Sequence, residues 1–306
     1  MHYRKKVMKN VFIRLLIILC TVQLCHSQAW MTDLGIAQKL ASVEDKMVLM
    51  VWEETTKYPY PVFVSDDKGR NVFIENLFED ENLSPLIWKY FVPVIVNEVE
   101  YADLYEAIEG KRSQNYIDKF NDDSIKIMDT NGNILNVSDF TDNYENITRL
   151  ILTYALDTAY ISTEMKNYSN DKNFYSAYYL TAKYIDFAMY ASKTVRPLLI
   201  KLSTIYLNEA KVLAAKESAD EPLVLLQRCE LLDIQQDLIL KKPKKVLRQL
   251  KRMGASEIEN NNEPLIAFLY YTTYRITKDE KNAELWKSKV SLVNLKKAQL
   301  IINLNS

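Results

Sequence analysis

Histidine and cysteine are nearly absent from the working part of this chain, and their scarcity excludes more chemistry than any motif present suggests. Both histidines, His2 and His26, and two of the three cysteines, Cys20 and Cys25, fall within the first 27 residues. Those residues have the layout of a secretory signal peptide: a basic start (Arg4, Lys5, Lys6, Lys9), an apolar run over 11–20 interrupted only by Arg14, and the small Ser27 before Gln28. The run is too short to cross a bilayer, which takes ~20 apolar residues. Met8 is an alternative start, since Lys9 still supplies the positive charge. Leu24 stands where a lipid-anchor motif before Cys25 has a small residue, so soluble export is the expectation rather than lipidation.

With that signal removed the chain keeps no imidazole and one thiol, Cys229. No remaining side chain titrates near neutrality without a large shift. A lone thiol forms no internal disulfide, so the exported protein must be held by its core. Histidine-based, thiol-relay and metal-assisted catalysis lose their usual residues, and no cofactor or metal is expected. Five of the 39 basic residues leave with the signal and no acidic ones, so 34 cations face 40 carboxylates, a net of −6. That balance argues against a nucleic-acid partner, whose phosphates need a clustered positive surface. The 279 residues that remain exceed what one compact core usually takes, and predict two domains, 28–142 and 143–306.

Residues 30–137 mix helical and strand patterns. The stretch Leu34-Gly35-Ile36-Ala37-Gln38-Lys39-Leu40-Ala41 has helical spacing, and Met47-Val48-Leu49-Met50-Val51-Trp52 is a continuous apolar run of the kind a strand buried on both faces carries. Val62-Phe63-Val64 and Asn71-Val72-Phe73-Ile74 flank a glycine-bearing polar turn and predict a hairpin. A helix is expected over 83–90, a second buried strand over 91–96, and a hairpin in which 125–129 and 134–137 bracket Thr130-Asn131-Gly132-Asn133.

This order resembles the thioredoxin-like family, in its exported bacterial form. The pieces that carry the resemblance are Ala37-Gln38-Lys39, Lys46-Met47-Val48-Leu49-Met50-Val51, Phe78-Glu79-Asp80, Tyr90-Phe91-Val92-Pro93-Val94 and Ile127-Met128-Asp129-Thr130-Asn131-Gly132. The resemblance implies an α/β N-terminal thioredoxin-like domain of roughly 110 residues. Two departures matter more than the matches. The family's Cys-x-x-Cys opens the helix after the first central strand, where the helix N-terminus stabilises a thiolate. Here Glu53-Glu54-Thr55-Thr56-Lys57-Tyr58-Pro59-Tyr60-Pro61 follows Trp52, with no cysteine. The family's proline before the closing strands, usually cis, is replaced by Asn121-Asp122-Asp123-Ser124. The expected module is non-redox, and Tyr58, Pro59, Tyr60, Asp123 and Ser124 are the residues the resemblance places around its vestigial peptide groove.

From about residue 143 the pattern turns helical. Ile147, Leu150, Ile151, Tyr154, Ala155, Thr158 and Ile161 predict one long amphipathic helix. Helices follow over 174–191 and from near Pro197 to about Lys216. Two further helix starts share a phrase, Asp220-Glu221-Pro222 and Asn262-Glu263-Pro264, a capping residue with proline in the first turn. Their spacing suits a paired-helix repeat, and this half loosely resembles tetratricopeptide-type arrays. The fold class expected overall is an α/β N-terminal domain plus an all-α C-terminal helical array.

Several features carry a functional reading beside a plainer one. Tyrosines crowd the helical half, from Tyr154 to Tyr274; they suit a concave peptide- or glycan-binding surface, but inter-helix packing with hydroxyls reaching outward is the favoured expectation. Lys241-Lys242-Pro243-Lys244-Lys245 with Arg248, Lys251 and Arg252 suits an anionic surface, yet such runs are more often solvated helix junctions, so peripheral membrane contact is not expected. Asp129-Thr130-Asn131-Gly132-Asn133 lacks the spacing of a calcium loop and reads as a turn. Glu53 and Glu54 are adjacent on an extended segment and point apart. Cys229 sits among apolar helix neighbours and reads as a small buried hydrophobe; a thiol-dependent oxidoreductase or peroxidase using it would need an exposed thiolate beside a cation, with Arg228 as the sequence neighbour offering one. Asn82, Asn136, Asn146 and Asn167 open glycosylation sequons, relevant only in a eukaryotic secretory route. The function expected is a non-catalytic, exported interaction module, periplasmic or secreted, with a protein or peptide partner in the cell envelope; the sequence leaves the oligomeric state open.

Overall fold

The computed structural model describes residues 29–137, 144–216, 222–253 and 260–306. The signal segment, the expected domain boundary at 142/143 and the cap Asp220-Glu221 lie outside the described residues. Helix α1 (Leu34–Glu44) starts at Asp33, whose carboxylate accepts the Ile36 amide at 2.8 Å, and ends at Asp45 in the left-handed region, φ 53°. The cap satisfies one of the amides a helix start leaves without a partner. Its inward residues are Leu34, Ala37 and Ala41.

Strand β1 (Met47–Trp52) is buried along its whole length, as its unbroken apolar run predicts. It pairs in parallel with β4 (Phe91–Val96), Met47 opposite Phe91, and antiparallel with β5 (Lys126–Met128). Single bridges, Met31 to Val94 and Met128 to Ile134, widen this sheet by one residue on each side. The sequence expectation of a strand over 134–137 is thereby reduced to one bridged residue. The hairpin β2 (Val62–Ser65) and β3 (Asn71–Ile74) forms as expected, but in a second sheet, where β2 also pairs in parallel with the short β6 (Glu145–Asn146). Helix α2 (Leu83–Tyr90) leads into β4, and two helices, α3 (Tyr101–Ile108) and α4 (Gln114–Asn121), stand between β4 and β5.

The expected long helix after residue 143 is broken. It divides into α5 (Ile147–Tyr154) and α6 (Ser162–Asn170). The cause is tertiary: the Thr158 amide donates to the Asp45 carbonyl at 2.9 Å, and Asp157 accepts the Ala159 amide at 2.9 Å, which draws the intervening chain off helical geometry. Ile161 is still buried, so its place in the apolar pattern reported burial rather than helix. Then follow α7 (Phe174–Tyr190), α8 (Arg196–Ala214), α9 (Pro222–Ile239), α10 (Pro243–Met253), α11 (Glu263–Ile276), α12 (Glu280–Lys287) and α13 (Leu292–Asn305). Asn173 and Ser176 close a reciprocal capping box on α7, and prolines stand in the first turns of α8 and α11.

Alternation along β1 joins the halves. Met47, Leu49 and Val51 belong to a cluster that continues into Leu199, Tyr184 and Tyr206 of α8 and α7. Val48, Met50 and Trp52 face the other way, against Ala37, Tyr116 and Phe120. A strand's period of two thus places one row under the helical half and the next under α1 and α4, so the two sequence patterns share one core.

Candidate functional site

The expected groove lies at the carboxyl ends of β1 and β4, the end where open α/β sheets bind ligands. After Trp52 the chain makes a 3-10 turn over Glu53–Lys57. The Trp52 indole donates to the Phe120 carbonyl at 2.9 Å and the Thr55 hydroxyl to the Asp123 carbonyl at 3.4 Å, which holds this turn against the loop before β5. The same end carries Glu53, Glu54 and Glu98, tied by Asn97 Nδ2 to Glu53 at 2.5 Å and by the Glu54 amide to Glu98 at 2.6 Å.

The five groove residues divide. Tyr58, 68 % exposed, Pro59 and Asp123 face solvent. Tyr60 turns inward, meets the Phe78 ring at a tilt with centroids 5.8 Å apart, and donates to Glu145 at 2.9 Å. Ser124 is partly buried, donates to Asp122 and accepts from Lys119. Tyr60 and Ser124 therefore mark a polar cluster that sequence reasoning did not assemble, with Lys119 and Lys126 buried, Glu145 partly buried and Asp122 at the surface. Lys126 is fully buried and reaches Asp122 Oδ1 at 3.1 Å. Burial pulls its ammonium down to about 8, opposed by Asp122. Burial likewise pushes the Glu145 carboxyl above its usual range, with Lys119 opposing. One signal was available, a lysine between two isoleucines in a strand buried on both faces.

Cys229 is 0 % exposed, and burial pushes its thiol up to about 11, so it is protonated at neutral pH. Arg228, named from the sequence as its cation, donates instead to Asn262 at 3.0 Å. In the basic block, Val246 and Leu250 are buried while Lys242 and Lys245 share the carboxylate of Asp237 at 3.8 and 2.8 Å. That is the geometry of a helix junction. Among the described residues no group of three or more His, Cys, Asp or Glu is placed to hold a metal ion, and no helix is long and apolar enough to cross a membrane.

At the opposite end of the sheet the Asp129 turn meets the helical half. Asp129 is fully buried, and its Oδ1 accepts the amides of Asn131 at 3.0 Å and Asn133 at 2.9 Å. Its Oδ2 accepts the Tyr184 hydroxyl at 3.0 Å and the Tyr206 hydroxyl. The two phenol rings stack 5.5 Å apart. Beside them, Arg112 Nη2 bridges Asn133 at 3.0 Å and Glu209 at 2.9 Å, and Glu209 also accepts from Tyr168. The tyrosine richness thus serves two ends: Tyr154, Tyr184 and Tyr206 are core, whereas Tyr160, Tyr175, Tyr179 and Tyr190 are exposed.

Fold and site together define a mixed α/β protein with small three-stranded sheets near its N-terminus and a run of helices after them. Comparison with protein-family models, curated proteins and solved structures finds no match to the chain.

Proposed function

We propose that this chain is an exported, non-catalytic interaction protein: a thioredoxin-like scaffold without its redox centre, fused to a helical array, working in the cell envelope. The observation that carries the reading is the turn after β1. Thr55 stands there against the Asp123 carbonyl, with no thiol on either side, and the lone thiol of the described chain lies buried in α9. Thiol exchange needs an attacking thiolate, which a fully buried cysteine raised to about 11 does not supply. The sheet order, Met31, β4, β1, β5, Ile134, supports the scaffold assignment. Exposed Tyr58 and Pro59 follow the turn that Thr55 ties to Asp123, and together with exposed Asp123 offer an aromatic and an acidic contact to an extended peptide.

A photo-crosslinking residue at Tyr58, with a second at exposed Tyr175 as control, tests the surface in the exported fraction. A discrete adduct from position 58 alone is expected; equal labelling from both positions rejects the groove. In an insulin-reduction or peroxidase assay no turnover is expected, and turnover abolished by Cys229→Ser overturns the proposal in favour of thiol chemistry.

A further inference from the structure

Helices α1 and α6 border a cavity of about 380 Å3, a volume within the range of small-molecule clefts. Gln38, Lys39 and Ser42 line it from α1, Lys166 and Ser169 from α6, and Thr130 from the loop that follows β5. Its apolar side chains are Val43 and Met165. No carboxylate is among the described residues that line it, although the chain carries 40 Asp and Glu.

The two ammonium groups are unspent. Each helix has one carboxylate, and another lysine takes it: Lys46 holds Glu44 of α1 at 2.7 Å, and Lys183 holds Glu164 of α6 at 3.7 Å. Among the described residues Lys39 and Lys166 make no ion pair, hydrogen bond or ring contact. Gln38, Ser42 and Thr130 are half-buried, and their side chains likewise have no hydrogen-bond partner among the described residues. Half-buried amides and hydroxyls that the chain leaves without partners are donors and acceptors a polar ligand can complete. A helix also leaves its last carbonyls without partners inside it, and α6 ends at this cavity with Ser169 and Asn170, so ligand hydroxyls find acceptors there.

We propose that this cavity binds a small phosphorylated polyol, with the phosphate held by Lys39 and Lys166 and the hydroxylated body against Gln38, Ser42, Thr130 and the end of α6. The mixture of groups selects that class. Free ammoniums hold a dianion through charge-assisted hydrogen bonds, which are about twice as strong as neutral ones, and amide and hydroxyl walls favour a hydroxylated body over an apolar one, which would leave them unpaired. The site shares no residue with the Tyr58 surface, so either can fail without the other.

The test is calorimetric titration of the full chain with two esters, glucose 6-phosphate and glycerol 1-phosphate, and with their fragments: inorganic phosphate, glucose and glycerol. At least one ester is expected to bind saturably at one site, roughly tenfold more tightly than inorganic phosphate and than its own alcohol, with an affinity that falls as salt rises. Lys39 and Lys166 are exposed and hold no other group, so K39Q/K166Q keeps the fold, which circular dichroism checks. This variant is expected to bind the ester at least tenfold more weakly. No saturable binding of either ester, an ester no tighter than inorganic phosphate or than its alcohol, or unchanged ester binding in the variant overturns the proposal.

Discussion

A fully buried carboxylate, Asp129, and a partly buried one, Glu145, sit in two polar clusters of this fold, and they are treated differently. Asp129 accepts two backbone amides and two phenols, so both oxygens are filled from within the chain. Glu145 accepts the Tyr60 hydroxyl on Oε2, while its Oε1 is buried with no partner. Burial raises both above the usual carboxylate range. A saturated carboxylate is a clasp: it joins the turn to α7 and α8 and has no lone pair left for a ligand. An unsaturated one is held by its surroundings and contributes little, because burying a charge costs about as much as its contacts return.

The sharpest test of that contrast makes the same near-isosteric change at both positions. Asp129→Asn turns one acceptor oxygen into a donor facing donors, and is expected to cost about 2–4 kcal/mol in urea unfolding, since a buried group left unsatisfied costs ~1–3 kcal/mol. Glu145→Gln keeps an acceptor for Tyr60 and removes a buried charge, so a change within about 1 kcal/mol is expected. Equal losses at the two sites would break the comparison.

Lys126 tests the Glu145 cluster from its cationic side. Its folded value, about 8, lies below the ordinary 10.5, so between those values the unfolded chain binds more protons and stability rises with pH. Lys126→Met is expected to be more stable than the parent at pH 7, by about 3 kcal/mol, since each pKa unit is ~1.4 kcal/mol. That advantage should fade as pH climbs from about 8 to 10.5. A constant difference across this range would show that the ammonium is not the cause. The carboxylate gives the opposite sign: Glu145 is raised, so its contribution is full below about 4.5 and is lost as pH rises through the folded value, and Glu145→Gln should flatten that part of the stability profile.

Gly132 sharpens the clasp further. Its φ is +84°, and an added Cβ would come 2.9 Å from Gln38 Nε2, the far end of a flexible side chain. Gln38 is able to move, so the cost that remains is the left-handed backbone, and Gly132→Ala is expected to lose about 1–2 kcal/mol, with Gln38→Ala restoring little of it. The smallest effect belongs to Tyr60→Phe. It removes one hydrogen bond from a carboxylate that already tolerates an empty oxygen, and should cost about 1 kcal/mol or less. A loss as large as that of Tyr206→Phe would place Glu145 in the same class as Asp129.

Local patterns were legible where local physics decided them. The unbroken run 47–52, the helical spacing from Leu34 and the proline-marked starts of α8 and α11 each follow from propensity, capping or two-sided burial. The helix expected through Ile161 failed because the same apolar spacing serves a buried loop once Thr158 is hydrogen-bonded to Asp45. Of the five residues expected around a groove, Tyr60 leaves for Glu145, a partner 85 positions away, and the Asp123 carbonyl meets Thr55, which that expectation did not include. Asn136 opens a sequon, yet its side chain is buried against Ile125 and Ile127, where folding closes it to modification.

The sequence by itself determined how few histidines and cysteines there are and where they fall, the two sheet-forming runs, and the change from mixed to helical pattern, because each depends on residue type or on neighbours within a few positions. Only the tertiary structure decided that one face of β1 lies under the helices, that Tyr184 and Tyr206 close on Asp129, and that Lys39 and Lys166 line one cavity. Those partners are brought together by burial of the shared core, and burial of distant segments against one another leaves no mark in the spacing of any single segment.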